Sequence, residues 1–293
     1  MPVAALVGLA IGIAALIVVV AATRGGNSQP AETVVPEVPE PQLELLRIVF
    51  PEGFTIEEMA ERVTAVNGIA KEHRGITPSL SASAYRQVAQ NTSLIPEGFL
   101  ATYENPPTLE GFLFPATYQF TEETTTRELI EQQIAQFERT WAQLDLSFAE
   151  RQALTAYDVL IIASMIEEEV REPRERELAA AVIYNRLNAG MTLGIDSTVR
   201  YGLGIPATES LRRSQLQSDN PYNTRKLLGL PPTPISNPGL ESMRAAAQPA
   251  DKPFLFYARR KDCQTHFFTE SEAKFLAFLD GPNSFRQGPN RCA

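Results

Sequence analysis

Histidine and cysteine are scarce in this chain, which has two of each among its 293 residues. His73 and His266 lie far apart, and neither begins a spaced motif of metal ligands. The sequence therefore predicts no metal site and no cofactor. Cys263 and Cys292 could form a disulfide in an oxidising compartment, which would contribute roughly 3 kcal/mol by constraining the unfolded chain. Alternatively, they could be two unrelated thiols, because spacing alone does not bring their Cβ atoms together.

Long basic stretches are also missing, and the 26 Lys and Arg residues are outnumbered by 35 Asp and Glu residues. The net charge of -9 argues against a nucleic-acid partner, because phosphate binding needs clustered basic side chains. Hydrophobic residues make up 44% of the chain and charged residues 21%. This balance predicts a globular protein with one large domain, or with a catalytic domain and a small module.

Residues 3–22 form an unbroken apolar run of Ala, Val, Leu, Ile and Gly. This length is close to the roughly 20 residues that a helix needs to cross a bilayer, so we predict a transmembrane anchor over residues 1–23. A cleaved signal peptide is the alternative, although its apolar core normally has about 7–15 residues. No Lys or Arg precedes the run and Arg24 follows it, so the positive-inside rule does not decide the orientation.

Residues 24–42 are rich in Gly and Pro and have few apolar side chains to bury, which predicts a linker. Residues 43–107 are predicted to form a small αβ module and a connection. The module has a strand over residues 46–50 and a helix whose capping box pairs Thr55 with Glu58. A packing unit explains this module more simply than a glycan-binding function does.

Residues 108–293 are predicted to form the catalytic domain. Its first segment, residues 108–115, is an apolar loop that carries Glu110 between Gly and Pro residues, as expected for the wall of a binding cleft. A helix is predicted over residues 124–144, and strands are predicted over residues 254–257 and 265–268. A further helix is predicted to be capped by Thr269 with Glu272.

Three consecutive glutamates, Glu167 to Glu169, end a helix that is predicted to begin at Thr155 and to extend through Val170. At about 100° per residue, Glu169 lies on the apolar face, Glu168 points away and Glu167 lies at the margin. The apolar face consists of Val159, Ile162, Ala163, Ile166 and Val170. A carboxyl group among apolar side chains has a raised pKa and can donate a proton at neutral pH, which a general acid requires.

The alternative for Glu169 is a partly buried carboxylate paired with an arginine. The candidate partners are Arg171, Arg174 and Arg186. Pro173 suits the first turn of the next helix, which is predicted to run through Leu187 and to end at Gly190. Two helices joined in this way would place Glu169 at a corner that opens to a cleft.

A series of motifs follows in order from residue 110 to residue 267. The first are Glu110-Gly111, Phe114-Pro115, Ala163-Ser164-Met165-Ile166-Glu167-Glu168-Glu169 and Val182-Ile183-Tyr184-Asn185-Arg186-Leu187. The later ones are Gly190-Met191, Asp196-Ser197-Thr198-Val199, Tyr201-Gly202, Asn220-Pro221-Tyr222-Asn223-Thr224, Gly229-Leu230-Pro231-Pro232, Ile235-Ser236-Asn237-Pro238-Gly239, Ala245-Ala246-Ala247 and Thr265-His266-Phe267. In this order they resemble the YceG-like family of endolytic murein transglycosylases, over residues 109–279.

The resemblance implies a catalytic residue and a reaction. In the family the second glutamate of a Glu-x-Glu pair near the end of such a helix is catalytic, and by position this is Glu169. It implies cleavage of the β-1,4 bond between N-acetylmuramic acid and N-acetylglucosamine, with Glu169 first protonating the leaving oxygen. The carboxylate then takes the proton of the muramic C6 hydroxyl, which leaves a 1,6-anhydro end without water or a second carboxylate.

Polar residues of the same motifs are expected to contact the sugar or to orient Glu169. They are Glu110, Asp196, Tyr201, Tyr222, Asn223, Asn237 and His266. For Glu110 the alternative is a loop carboxylate that accepts backbone N–H groups, and for His266 it is a structural role.

We therefore predict an α+β protein with an N-terminal transmembrane helix, a small αβ module similar to part of a LysM domain, and a mixed α+β catalytic domain. The resemblance implies a single-pass protein of the cell inner (cytoplasmic) membrane with an extracytoplasmic catalytic domain. Its partners would be peptidoglycan strands, the membrane and the synthases known as penicillin-binding proteins. The alternatives are a non-catalytic peptidoglycan-binding scaffold and a hydrolase that uses water.

Overall fold

A computed structural model describes residues 43–96, 99, 106–206 and 208–287 of the chain. In chain order, its longer elements are β1 (Leu46–Val49), α1 (Ile56–Arg74), α2 (Ala82–Val88), β2 (Thr117–Phe120), α3 (Thr126–Trp141), α4 (Ser147–Arg151), α5 (Ala156–Glu169), α6 (Arg176–Asn188), α7 (Asp196–Leu203), α8 (Arg213–Leu216), α9 (Leu240–Ala247), β3 (Phe256–Arg259), β4 (His266–Thr269) and α10 (Glu272–Asp280). Short 3₁₀ turns occupy Thr92–Leu94, Pro173–Glu175 and Phe285–Gln287. The predicted mixed α+β class is confirmed.

Two of the helices, α1 and α5, begin at the capping boxes that the sequence predicts. Thr55 and Glu58 form the predicted capping box of α1, in which Thr55 N–H donates to the Glu58 carboxylate at 2.8 Å. The helix continues to Arg74 and stops at Gly75, which adopts a left-handed conformation (φ 68°). Thr155 caps α5 in the same way as Thr55 caps α1.

The two small sheets are both antiparallel pairs. β1 pairs with β2, with Leu46 opposite Phe120 and Val49 opposite Thr117. The predicted boundary at residue 107 therefore falls between two strands of one sheet, and a single apolar core includes residues from both sides of it. The division into a module and a catalytic domain stays a prediction.

Helix α5 lies at the centre of the core. Its residues from Val159 to Ile166 are all buried, including Leu160 and Ile161, which the helical projection placed away from the apolar face. The five residues of the predicted apolar face are buried, and the buried surface extends beyond that face. Because neighbouring elements such as α6 and α9 pack around it, solvent reaches this helix only at its two ends, and Glu167 to Glu169 stand at the C-terminal end.

The segment after α5 follows the predicted corner with one difference. Pro173 opens a 3₁₀ turn (Pro173–Glu175), and α6 starts at Arg176, three residues later than predicted. Gly190 adopts φ 62° just after the C-cap residue Ala189, as expected for a residue that ends a helix.

The second sheet pairs β3 with β4, with Phe256 opposite Thr269 and Arg259 opposite His266. The prediction that Thr269 caps the following helix is wrong, because Thr269 is the last residue of β4. Ser271 is the cap of α10, and its side chain accepts the N–H of Lys274 at 3.3 Å.

The predicted anchor (residues 1–23) and linker (residues 24–42) lie outside the described residues. Within the described ranges, none of the helices combines the length and apolar character that crossing a membrane requires. Cys263 is disulfide-bonded. Cys292, the other cysteine of the sequence, lies outside the part of the chain that the structure describes.

Gly111→Ala is expected to destabilise the fold by about 2–5 kcal/mol, because left-handed backbone strain costs about 1–2 kcal/mol and overpacking costs about 1–3 kcal/mol. Gly111 has φ 90°, and a Cβ atom there would lie 2.6 Å from Cγ of Pro234. The free energy of unfolding in guanidinium chloride measures the effect. The control is Gly68→Ala in α1, where an added Cβ atom would meet nothing within 4 Å. This substitution should stabilise the fold by about 0.5–1 kcal/mol, because alanine favours a helix over glycine. Equal effects of the two changes would contradict the account.

Candidate active site

The C-terminal end of α5 opens into a cavity of about 940 Å³. Its lining comes from the loop after β1, the end of α5, the start of α7, strand β3 and the C-terminal helices. Polar and charged residues of the lining include Glu52, Glu167, Glu168, Glu169, Arg171, Arg186, Asp196, Ser197, Arg200, Arg225, Tyr257, Arg259, His266, Glu272 and Arg286. The predicted cleft beside Glu169 is therefore present.

Glu169 is half-buried, and two hydroxyl groups hold its carboxylate. Ser197 Oγ donates to Oε1 at 2.9 Å, and the Tyr257 hydroxyl donates to Oε2 at 3.3 Å. Within the described ranges, no Lys, Arg or His nitrogen lies within 4.0 Å of this carboxylate. The arginine pairing considered from the sequence is therefore not found there, and Glu169 faces the cavity with neutral donors on both oxygens.

Tyr257 reaches Glu169 from β3 and is held in place by His266. The two rings meet edge-on, with 5.6 Å between centroids and an interplanar angle of 76°. His266 is 6% exposed, and its Nδ1 lies 2.7 Å from Oε2 of Glu175. Burial, together with the negative charge of Glu169, raises the pKa of Tyr257 well above its ordinary value, so its hydroxyl keeps the proton that it donates.

Glu167 is the carboxylate that an arginine neutralises. It lies 3.4 Å from a terminal guanidinium nitrogen of Arg176, and its other oxygen accepts the N–H of Gly239 at 3.0 Å. Glu52 also approaches Arg176, at 3.9 Å. Burial and the nearby Glu167 raise the pKa of Glu52. Glu167 therefore connects α5 to the start of α9, with both carboxylate oxygens bonded within the protein.

The carboxyl group of Glu168 is also desolvated, whereas the sequence placed only Glu169 among apolar side chains. The residue is exposed, as predicted, but its carboxyl end packs closely on Gly53, where an added Cβ atom would lie 2.9 Å from Oε1. This local burial raises the pKa of Glu168, and the charges of Glu58, Glu167 and Glu169 add to the shift. The sequence projection missed this because the loop that contains Gly53 comes from more than a hundred residues earlier in the chain.

Asp196 and Ser197 begin α7 at the edge of the cavity. Asp196 forms an ion pair with Arg225, and both side chains are more than 40% exposed. Ser197 stands beside it and donates to Glu169. The structure therefore brings three of the predicted site residues, Glu169, Asp196 and His266, to one cavity.

Glu110 does not line the cavity. It is 3% exposed, and it accepts hydrogen bonds from Ile56 N–H at 3.1 Å, from Asn237 Nδ2 at 2.7 Å and from the Tyr201 hydroxyl at 3.2 Å. Burial raises the pKa of Glu110 to about 8. The alternative given for this residue, a loop carboxylate that satisfies backbone N–H groups, describes its contacts.

Asn237 connects three segments of the chain. Its Oδ1 accepts the N–H groups of Gly111 and Leu113 at 2.9 and 3.0 Å, and its Nδ2 donates to the carbonyl oxygen of Phe54 at 2.8 Å. The residue is fully buried. The prediction that Asn237 contacts the sugar is not supported by this placement, because all its polar atoms already have protein partners.

The remaining predicted sugar contacts also lie outside the cavity lining. Tyr222 bonds Thr233 Oγ1 at 2.8 Å and packs against Tyr201, with 5.2 Å between ring centroids. Asn223 is buried and donates to the carbonyl oxygens of Leu216 and Ser218, at 3.1 and 2.8 Å. These motif residues hold loops together at the side of the site rather than facing the cavity.

Two residues that contact Glu169, Ser197 and Tyr257, were not among the predicted site residues. Ser197 stood within a recognised motif, Asp196-Ser197-Thr198-Val199, which was the only signal that could have identified it. Tyr257 gave no such signal, because one tyrosine in a short aromatic strand is typical of core packing. The described residues contain no group of three or more His, Cys, Asp or Glu side chains arranged to hold a metal ion.

The fold and the cavity define a mixed α+β protein with a carboxylate-lined cleft. The chain belongs to the YceG-like family, whose model matches residues 27–280. It is 31% identical over 250 residues to an endolytic murein transglycosylase of Streptococcus pneumoniae, with 80% of this chain and 42% of the relative covered. An endolytic murein transglycosylase of Bacillus subtilis is 36% identical over 159 residues, with 54% of this chain and 44% of the relative covered.

A crystal structure of a YceG-like protein from Listeria monocytogenes has a similar fold. The TM-score is 0.66 at 28% sequence identity, and the match covers 79% of this chain and 75% of the Listeria chain. The chain spans less than half the length of the curated relatives it matches.

Glu110→Gln is expected to flatten the dependence of stability on pH. The folded state raises the pKa of Glu110 from 4.5 to about 8, so it binds a proton that the unfolded state releases, and stability falls as pH rises through this window. A glutamine cannot ionise, and its amide can still accept from Ile56 and Asn237 while donating to Tyr201. Unfolding free energies measured from about pH 5 to about pH 9 test this. Parallel curves for Glu110→Gln and wild type would contradict it, and Glu123→Gln, at an exposed acid, is the charge control.

Proposed function

We propose that this protein is a membrane-anchored endolytic lytic transglycosylase of peptidoglycan, in which Glu169 is first the general acid and then the general base. Membership of the YceG-like family and the names of its relatives in Streptococcus and Bacillus support the reaction class. One observation carries the choice of residue: the Glu169 carboxylate faces a large cavity between two neutral hydroxyl donors. A sugar could approach it directly.

The reaction needs one carboxyl group. The protonated Glu169 gives its proton to the oxygen that links the muramic C1 atom to the next sugar, and the C1–O bond breaks as positive charge develops at C1. The muramic C6 hydroxyl attacks C1 and passes its proton to the Glu169 carboxylate. The products are a 1,6-anhydro ring and a free 4-hydroxyl group, and Glu169 is protonated again. No water is consumed.

Ser197 and Tyr257 keep the acid in one orientation through both steps. Each hydroxyl donates to a different oxygen of Glu169, so rotation of the carboxylate about its Cγ–Cδ bond would break two hydrogen bonds. His266 and Glu175 support Tyr257 from the protein side. Asp196 pairs with Arg225 at the cavity edge, and its exposed carboxylate would hydrogen-bond the substrate.

The location and partners follow from the same proposal. The apolar run within residues 1–23 would anchor the chain in the cytoplasmic membrane, with the cavity outside the cell, where peptidoglycan is found. Action on nascent strands beside the penicillin-binding proteins would end glycan chains as they are made. The second candidate function is a non-catalytic peptidoglycan-binding scaffold, in which the same cavity would hold a strand without cleaving it.

Glu169→Gln is expected to lower the yield of anhydro-muramic ends from isolated sacculi by about 10²- to 10⁴-fold, because an amide can neither donate nor accept the catalytic proton. Mass spectrometry of the digest measures the product. Glu168→Gln is the matched comparison, since Glu168 stands at the same helix end with a raised pKa. If Glu168→Gln abolished the product while Glu169→Gln kept it, the assignment would move to Glu168. Equal yields from wild type and Glu169→Gln would favour the scaffold, and reducing ends would indicate hydrolysis.

Tyr257→Phe is expected to lower kcat by about ten- to hundredfold, with KM and the melting temperature little changed. The reason is that a poorly oriented Glu169 slows proton transfer, whereas the contacts that bind the substrate remain. The phenyl ring keeps the packing against His266 and Phe268, so only the hydrogen bond to Glu169 is removed. Steady-state kinetics on purified glycan strands provide both constants. A parallel loss of melting temperature would instead indicate a structural role for the hydroxyl.

A further inference from the structure

Six arginines and His266 are the basic residues among the described residues that line the cavity. Arg186 is held by the carbonyl oxygens of Leu193 and Leu255, at 2.7 and 2.6 Å. Two more arginines also bond protein oxygens: Arg200 donates to a carbonyl oxygen and Arg225 pairs with Asp196. The other three are Arg171, Arg259 and Arg286. Within the part of the chain that the structure describes, no acceptor is bonded to their guanidinium groups.

Arg259 is the best placed of these three. It lies two residues after Tyr257 on β3, and side chains two apart on a strand share a face, so Arg259 points to the same side as the hydroxyl that bonds Glu169. The corresponding separation between Cα atoms is about 7 Å. Arg259 is half-buried, so part of its surface is already withdrawn from water while its donors have no bonded acceptor in the described ranges.

The C-terminal segment brings Arg286 to the same region. The bridge between Arg260 and Ser284 and the hydrogen bond from Lys261 N–H to the carbonyl oxygen of Asn283, at 2.9 Å, fix this segment beside the end of β3. Arg286 stands two residues after Ser284, and both Arg259 and Arg286 line the cavity. A second guanidinium group is thus available to the same ligand.

We propose that Arg259, with Arg286 beside it, forms a subsite that binds a carboxylate of the peptide attached to the muramic sugar, so that the protein prefers peptide-bearing strands over bare glycan. This inference rests on the proposed function, since it takes the cleft to hold a peptidoglycan strand. The planar guanidinium group matches a carboxylate with two parallel hydrogen bonds.

The distances agree with this assignment. The peptide begins at the lactyl group of the sugar, and two extended residues span at most about 7 Å. This length is comparable with the spacing of about 7 Å between Tyr257, which bonds Glu169, and Arg259 on the same strand.

The test measures binding of two soluble probes to the full-length protein. One is an N-acetylmuramyl dipeptide with a free α-carboxylate on its second residue, and the other is the same molecule with that carboxylate converted to an amide. Isothermal titration calorimetry should show about tenfold tighter binding of the acid form by wild type, the size expected for a charge-assisted hydrogen-bonded pair. Arg259→Gln should bind both forms equally, at the affinity of the amide.

Arg260→Gln is the matched control. Arg260 is the next residue of the strand region and stacks on Phe267 and Phe278, away from the cavity lining, so this variant should keep the tenfold preference. Arg259→Lys keeps the charge without the planar fork and should show a smaller preference. If Arg259→Gln has a lowered melting temperature, Arg259→Lys replaces it as the test variant, because a lysine side chain retains the aliphatic stem of arginine.

Equal binding of the two probes by wild type would overturn the inference, as would a preference that survives in Arg259→Gln or the lack of binding of either probe. These outcomes are separate from the test of the catalytic proposal. Failure of Glu169→Gln to lose activity would not change the probe preference, and loss of that preference would leave the Glu169 result intact.

Discussion

Burial of the middle of α5, from Val159 to Ile166, is the constraint on which the rest of the structure depends. Because Val159 to Ile166 have no solvent face, the polar groups of this helix must be satisfied by other segments. The Ser164 hydroxyl donates to the carbonyl oxygen of Ile161 and accepts the N–H of Ile235 at 3.0 Å. That contact fixes residues 235–237 against the helix, and Asn237 then ties them to Gly111 and to the loop before α1.

The same constraint separates the roles of three adjacent glutamates. A buried helix can expose charge only where it ends, so Glu167, Glu168 and Glu169 meet different neighbours at one helix end. Glu167 forms an ion pair with Arg176 and accepts a hydrogen bond from a backbone N–H just before α9. Glu168 packs on Gly53, and Glu169 is left with two hydroxyl donors and open space. Their environments, rather than their identical chemistry, distinguish the three.

Many of the motif residues support the site without reaching it. Four of them have their polar atoms bonded within the protein: Glu110, Tyr201, Asn223 and Asn237. The motif residues therefore include a buried hydrogen-bond network as well as residues that line the cavity. Burial raises the pKa of Glu110, a member of this network, to about 8. Such a network fixes the loops around α5 in one arrangement, and this arrangement sets the position of the walls around Glu169.

The sequence by itself predicted the capping boxes of α1 and α5 and the mixed α+β class, and its ordered motifs led to the proposal of Glu169, because all of these are signals within the sequence. Only the tertiary structure decided that Ser197 and Tyr257, which lie 28 and 88 residues after Glu169, are the groups that hold it. It also decided that Glu168 is desolvated and that five predicted sugar contacts lie outside the cavity. The reason is that burial and hydrogen-bond partners depend on contacts between distant segments, which no helical projection or motif contains.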